Sequence, residues 1–596
     1  MTAGLTPAPA RVPDPLADLD GALVTDYLEH WARVQPDAPA QTFTDYLASR
    51  QGVTRTITFA ELDRWSRAVA AVIMERAQRG DRVAIVCAQS LEYVVAFAAT
   101  LRAGVIGVPL FSPDMPGHGD RLHGVLADCE PVCLLATTDK LELVRELAGG
   151  TDERIVCVDA LEGPAGDAAA ADFTAPTGIS PDDIAYLQYT SGSTRAPAGV
   201  ELTHGNLLAN ARQIIEGYDL RYADTNAVSW LPLFHDMGLL IGAPGAIVCG
   251  AHAHLMDPLA FLMRPQRWVR EMSGKRNVIS AAPNFAYGYV AKRMKDEERA
   301  ELELSGVIAL LNGAEPVLPA TVDRFLEAFG PVGVRPEACF PSYGLAEATV
   351  FVTRSRPGQG PLVREFDAAT LQTGRLEPAG AGRSVQLVSC GTAVDSQHVV
   401  IVDAERAARM PDGDVGEIWV CGPNVGRAYW QRPDDSVATF GGTLADPGDL
   451  PAGPWLKTGD LGAIVDGDLY VTGRHKDLII VDGRNVYPHD VELSVEQADG
   501  AIAAHRLAAF AVPGATGEVV VVVAERHRTA EDAVARLDDI ASAARAAVSA
   551  EHAVALHDFV LVEPDTIART SSGKIARHGA RAAYLAGELV RVGVAG

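Results

Sequence analysis

The sequence predicts an α/β protein of more than one domain, with a large N-terminal unit built on parallel sheets and a small α+β unit at the C-terminal end. Three observations carry that expectation. At 596 residues the chain exceeds what one hydrophobic core supports, so two to four domains are the natural division. Between residues 82 and 158 short apolar runs alternate with a helical stretch: 82–88 reads as a strand, 91–103 as a helix and 105–110 as a strand, with further strands at 132–136 and 155–158. That is the βαβ alternation of a parallel sheet. After Arg474 the character shifts: 478–481 reads as a strand, 485–488 as a turn and 490–497 as the start of a helix. Strands at 510–512, 518–524 and 559–562 and an alanine-rich helix near 530–547 complete a compact unit over 474–596.

The remaining segments follow in order. Residues 1–20 carry four prolines and several aspartates and read as a flexible leader, without the continuous apolar core of a signal peptide. An amphipathic stretch over 23–34 reads as the first helix, and the Ala-, Gly- and Asp-rich stretch 163–177 as a surface linker. The longest apolar run, 237–251, is broken by glycines and a proline and falls short of the roughly 20 residues needed to span a bilayer. Eight cysteines without a CxxC pair point to buried thiols in a reducing, cytoplasmic setting. A formal charge of −26 argues against a general affinity for nucleic acid or anionic membranes, so a bound nucleotide must meet locally placed cations.

Residues 189–200, YTSGSTRAPAGV, suggest where. Gly192 lets the main chain approach a ligand, while successive amides and the hydroxyls of Thr190, Ser191, Ser193 and Thr194 can donate to phosphate oxygens. The apolar alternation of 184–189 supplies a strand feeding this turn. An ordinary polar turn has the same composition, so the reading depends on other segments.

Six of them occur in a fixed order: LPLFHDMGL at 231–239, NGAEP at 312–316, SYGLAEAT at 342–349, KTGDLG at 457–462, GRHKDLIIVDGRNVYPHDVE at 473–492 and RTSSGKIAR at 569–577. Together with the glycine-rich turn they resemble the adenylate-forming superfamily of acyl-CoA synthetases, peptide-synthetase adenylation domains and luciferases, over nearly the whole chain. Arg195, Ala198, the FHDMGL run and LVSCG at 387–391 look like its fatty acyl-AMP ligase branch. The resemblance implies an N-terminal domain over 21–473, of parallel sheets with helices plus a small β-barrel, and a mobile α+β lid over 474–596. It also implies a branch-specific insertion within about 351–383, whose composition suggests a polar excursion rather than core.

The implied chemistry explains the residue types. A carboxylate attacking the α-phosphorus of ATP meets like charge, worth roughly 4 kcal/mol at about 4 Å and an effective dielectric near 20. Lys574 in SSGK matches the lysine that bridges the two anions; Ala568 stands where a Walker loop would need glycine, so a P-loop reading fails. Glu347 matches the magnesium ligand. Tyr343, next to Gly344, matches the aromatic that lies against adenine, and Gly313, Ala314 and Glu315 the segment lining it. Asp460 can accept both ribose hydroxyls, Arg474 hydrogen-bonds ribose or phosphate, and Lys476 occupies the hinge position. Most relatives have glycine at 195 and lysine at 198; Arg195 keeps a cation in the loop, and Ala198 removes the later one. His235 either gates the acyl tunnel beside the carboxylate or is a satisfied core histidine; Asp236 follows it, which departs from the amine-anchoring aspartate of amino-acid-activating relatives. His252 and His254 alternate as on a strand face and read as structural.

The expected reaction takes a fatty acid and Mg2+-ATP to acyl-AMP and pyrophosphate, then passes the acyl group to the phosphopantetheine thiol of an acyl carrier protein. Arg569, Arg577 and Arg581 are expected to face that acidic partner. The alternatives are a conventional acyl-CoA synthetase and a nonenzymatic acyl-nucleotide-binding relative.

Overall fold

The structure, a computed structural model, describes residues 13–115, 119–190, 197–481, 484–514, 517–569 and 575–593. Two large sheets dominate the N-terminal part. The eight-stranded sheet runs Phe351–Arg354, Cys339–Gly344, Val307–Gly313, Val278–Pro283, Asn226–Ser229, His252–Met256, Pro39–Asp45, Val53–Thr58. Its six central strands are parallel and its edge strands antiparallel. The seven-stranded sheet runs Ala428–Tyr429, Gly199–Thr203, Ile184–Tyr189, Ile106–Pro109, Arg82–Ile85, Cys133–Ala136, Ile155–Cys157. The helix Leu91–Ala103 forms as the sequence predicts, and all of it is buried: most of its surface is apolar, and its two charged residues are paired, Glu92 with Arg55 and Arg102 with Glu29 and Asp63. The first helix spans Val24–Val34. The leader is anchored at its C-terminal end, where Asp14 accepts the Tyr27 hydroxyl at 2.7 Å and pairs with Arg212 at 3.0 Å.

Two expectations need correction. The stretch 163–177 is not only linker: Pro164–Asp172 is a helix, opened by proline in its first turn and sustained by four consecutive alanines, and it packs on the helix Phe59–Met74. The region 351–383 is not simply a polar excursion. Phe351–Arg354 completes the large sheet, and Val363–Asp367 pairs with Ser384–Val388. Phe366, Leu371 and Leu376 are buried against Tyr470 and Tyr487. The charged residues between them masked a short apolar pattern.

A five-stranded antiparallel sheet follows, ending in Leu456–Val465 and Asp468–Arg474. Beyond it, Ile502–Pro513, Glu518–Arg526 and Leu556–Val562 form a sheet with its own apolar clusters on both faces, covered by Pro488–Ala498 and Leu537–His552 on one and Arg577–Ala586 on the other. Residues 485–488, read as a turn, are in part strand, since Arg484–Val486 pairs with Ile479–Val481.

Candidate active site

The site residues gather where the parallel strands of the large sheet end, the usual ligand edge of such sheets. Val307–Gly313 and Cys339–Gly344 are parallel neighbours, so NGAEP and SYG emerge side by side. Gly313 is there because of this proximity: a Cβ on it would stand 2.8 Å from the Ser342 carbonyl. Ala314 takes φ +66°, an uncommon conformation for alanine, and Glu315 Oε1 accepts the Phe285 amide at 2.6 Å.

Tyr343 is buried, and its hydroxyl donates to Asp460 Oδ2 at 2.8 Å. Arg474 Nε forms an ion pair with the other oxygen at 2.9 Å. Asp460 and Arg474 are directly opposite in the last hairpin of the five-stranded sheet, so the pair is set by strand register. The Asp460 carboxylate holds the Arg474 guanidinium more firmly charged than usual, while burial, then Asp460, pushes the Tyr343 phenol well up. Arg474 stays about half exposed, at 53% for its side chain, and can reach a ligand.

Glu347 sits on a tight turn. Thr349 adopts φ +65°, ψ −65°, and the Val350 amide bonds back to the Ala348 carbonyl at 2.8 Å, which makes a γ-turn, a strained form for a β-branched residue. A buried polar network holds it. Thr349 Oγ1 donates to the Asn424 carbonyl at 2.7 Å, and Asn424 Nδ2 donates to the carbonyls of Ala348 and Phe351 at 3.0 Å each. Asn210 brackets Phe351 through its amide and carbonyl groups. The Tyr429 hydroxyl donates to Glu347 Oε1 at 2.7 Å. Burial raises the Glu347 carboxyl above its ordinary range, and the Tyr429 hydrogen bond offsets this in part.

Of the glycine-rich turn, Ser191, Gly192, Ser193, Thr194 and Arg195 lie outside the described residues. Its two flanks are held. Ile184–Tyr189 and Gly199–Thr203 are antiparallel, and the Thr190 amide donates to the Ala198 carbonyl at 3.2 Å. One face of the helix Gly119–Cys129 braces this hairpin: Arg121 donates to the Thr190 carbonyl at 3.0 Å, Gly124 lies beside Pro197, and Asp128 accepts the Tyr189 hydroxyl at 2.6 Å. Arg432 donates to the Pro197 carbonyl at 2.7 Å. Sequence reasoning missed Arg121, Asp128, Asn424, Tyr429 and Arg432. The spacing of Arg121, Gly124 and Asp128, three and four residues apart, was the only available signal.

A family model described as AMP-binding enzyme matches residues 28–430. The long-chain-fatty-acid–AMP ligase FadD32 of Mycolicibacterium smegmatis is 43% identical, over 96% of this chain and 95% of that protein. The chain belongs to the AMP-binding enzymes, in their fatty-acid–AMP ligase branch. Among solved structures, one from work on the fatty acyl-adenylate ligases of E. coli and L. pneumophila is 31% identical with a TM-score of 0.81, covering 96% of this chain and 98% of that one. The L. pneumophila fatty acyl-adenylate ligase solved with acyl adenylate and pyrophosphate is 33% identical with a TM-score of 0.72, covering 94% and 96%.

In this AMP-binding enzyme, His235 caps the short helix Asp236–Gly242, and its Nδ1 lies 2.5 Å from Asp236 Oδ1. Gln188 donates to the Phe234 carbonyl at 3.0 Å, which fastens that motif to the strand feeding the glycine-rich turn. Tyr343, Asp460 and Arg474 are thus in direct contact; Lys476 is exposed, and Lys574 lies outside the described residues. His252 and His254 bond to Thr42 and Asn226 and share one strand, their rings 3.9 Å apart and tilted by 40°. Burial, then His254, pushes the His252 imidazole down to about 3.

Two arginines of the C-terminal unit bond within it. Arg577 forks onto both oxygens of Glu492 at 2.6 and 2.7 Å, and Arg581 donates to the Ala511 carbonyl at 2.8 Å. Arg577 is thus neutralised within the unit, whereas Arg581 meets only a backbone carbonyl among the described residues. The 351–383 region reaches this unit directly: Gln372 donates to the His552 carbonyl at 3.1 Å, Arg383 to the Ala550 carbonyl at 3.0 Å, and Tyr487 joins the Phe366 and Leu371 cluster.

Proposed function

We propose that this enzyme joins a fatty acid to the adenylyl group of ATP and then delivers the acyl group to the phosphopantetheine thiol of an acyl carrier protein. The observation that carries the reading is the convergence of Tyr343, Asp460 and Arg474. Asp460 offers carboxylate oxygens at a fixed position, and a ribose diol can take the place of the Tyr343 and Arg474 donors. Tyr343, Gly313, Ala314, Glu315 and Gly344 form the adenine side. Thr190, Ser191, Gly192, Ser193, Thr194 and Arg195 wrap the β- and γ-phosphates from a loop whose flanks Arg121 and Arg432 hold.

Glu347 fits a hard cation, since a half-buried carboxylate with a raised pKa gains from a neighbouring positive charge. Bound there, Mg2+ would neutralise phosphate charge, with substrate oxygens completing its ligands. In the first half-reaction a fatty acid oxygen forms a bond to the α-phosphorus and the bond to the bridging oxygen breaks, its electron pair leaving with pyrophosphate. Lys574 offsets the repulsion between the two anions, and His235 orients the carboxylate at the mouth of the acyl tunnel. The lid, 474–596, turns about Lys476. The carrier thiolate then attacks the acyl carbonyl, and the carbon–oxygen bond to AMP breaks.

The contacts of Gln372 and Arg383 with the lid support carrier transfer over coenzyme A, because they tether the lid through the 351–383 region. The test is incubation with ATP and fatty acids of graded length, with mass detection of acyl-AMP, acyl-coenzyme A and acyl-carrier. The reading expects acyl-AMP without coenzyme A and thioester only with holo carrier. Thioester formation with coenzyme A at the same rate would assign a conventional synthetase, and absence of acyl-AMP at every chain length would assign a binding protein.

A further inference from the structure

We propose that the outward face of the helix Pro258–Met263, with the cations beside it, seats the enzyme on an anionic lipid bilayer. Fourteen large apolar side chains are exposed among the described residues, and five of them fall in two neighbouring segments: Leu47 at 62%, Val53 at 54%, Leu259 at 53%, Leu262 at 45% and Met263 at 69%. The segments are joined by Arg267, whose guanidinium lies 4.1 Å from the Tyr46 ring centroid and donates to the Arg50 carbonyl at 3.3 Å. Tyr289 ties in a third segment, donating to the Leu262 carbonyl at 2.9 Å, with Arg293 over its ring at 5.4 Å.

Charge selects the partner. Residues 258–295 contain eight Lys and Arg and a single acidic residue, flanked by Asp257 on one side and by Asp296, Glu297 and Glu298 on the other, in a chain of net charge −26. Arg270, Lys275 and Arg276 are committed to Glu298 and Glu301, to Glu271 and to Asp224. Arg264, Lys292 and Arg293 have no carboxylate partner among the described residues, and Lys292 and Arg293 are exposed. The nearby carboxylates of Asp45 and Asp257 accept amides of their own turns and stand close to each other at the border of the patch, so the cations face outward past them. Apolar side chains projecting from a short helix and a turn, flanked by long cationic ones, suit the boundary between acyl chains and anionic headgroups. The inner side of the same helix leads toward the site. Phe261 stacks on Trp230 at 3.9 Å, Trp230 meets Phe285 at 6.3 Å, and the Phe285 amide is held by Glu315. A lipid-borne fatty acid would therefore be taken up beside the residues that use it, a step that rests on the adenylation reading above.

The test is sedimentation of the full chain with phosphatidylcholine vesicles, with and without phosphatidylglycerol. Binding is expected only with phosphatidylglycerol, and should fall about tenfold or more in high salt, in L262S/M263S and in R264E/R293E. Octanoyl-AMP formation, which needs no vesicle, should be unchanged in both variants and so reports that they fold. No binding to the anionic vesicles, or equal binding by both variants, would overturn the proposal. So would loss of acyl transfer to an acidic carrier with vesicle binding intact, which would assign the face to the carrier. Vesicle binding by a wild type that makes no acyl-AMP would instead sink the adenylation reading and leave the docking face standing.

Discussion

The edge of the large sheet and the C-terminal unit hold their charges in opposite ways. At the sheet edge charged groups are drawn together: Asp460 is shared by Tyr343 and Arg474, and Glu347 sits half-buried beside a strained turn whose Ala348 and Phe351 carbonyls accept from Asn424. In the C-terminal unit they close on one another, with Arg577 forked onto Glu492 inside a unit that has its own apolar clusters. The proposed recognition groups are therefore held in place in the larger part, while the smaller part is the one proposed to move as a body. Its hydrogen bonds to the 351–383 region include two to backbone carbonyls, the exposed one of Ala550 and the half-buried one of His552.

The largest effect expected is on the group the moving part would deliver. Lys574→Ala should slow acyl-AMP formation by roughly a hundredfold or more while leaving ATP binding intact, measured by pyrophosphate release and by titration. Asp460→Ala should do the reverse on the fixed side, weakening ATP binding by about tenfold to a hundredfold through loss of a charged acceptor. Equal loss of binding in both variants would erase the contrast. Arg577→Ala should destabilise the C-terminal unit by about 2 kcal/mol, seen as faster amide exchange confined to residues 477–593, with the large sheet unaffected.

Glu347 gives a smaller, pH-dependent effect. Its carboxyl titrates above the usual range, so the anion that would hold Mg2+ is depleted at a higher pH than for an exposed glutamate. Mg2+ activation should weaken as pH falls through that raised value, and Glu347→Gln should remove the dependence. The smallest effect belongs to Gln372→Ala and Arg383→Ala. Each should change stability by less than about 1 kcal/mol yet raise the yield of acyl-coenzyme A relative to acyl-carrier.

Much of this was legible in the sequence for a specific reason. Strand alternation and a mostly apolar helix are local patterns, so Leu91–Ala103 was readable to the residue. Site residues carried by contiguous motifs, such as Tyr343, Asp460 and Arg474, were nameable because those motifs carry the resemblance to the adenylate-forming superfamily. Asn424, Tyr429 and Arg432 were not, since their roles arise from packing between segments about 80 to 235 residues apart in sequence. The helix Pro164–Asp172 and the buried Phe366 were misread because alanine and charge were weighed as solvent signals, where a first-turn proline and neighbouring tyrosines decided otherwise.

The chemistry proposed for the site is tested most directly by following oxygen. A fatty acid labelled with 18O in its carboxylate, incubated with ATP and holo carrier, should yield AMP carrying one labelled oxygen, because the attacking carboxylate oxygen stays on the α-phosphorus when the thiol takes the acyl carbon. Unlabelled AMP alongside acyl-carrier, or label in pyrophosphate, would contradict it.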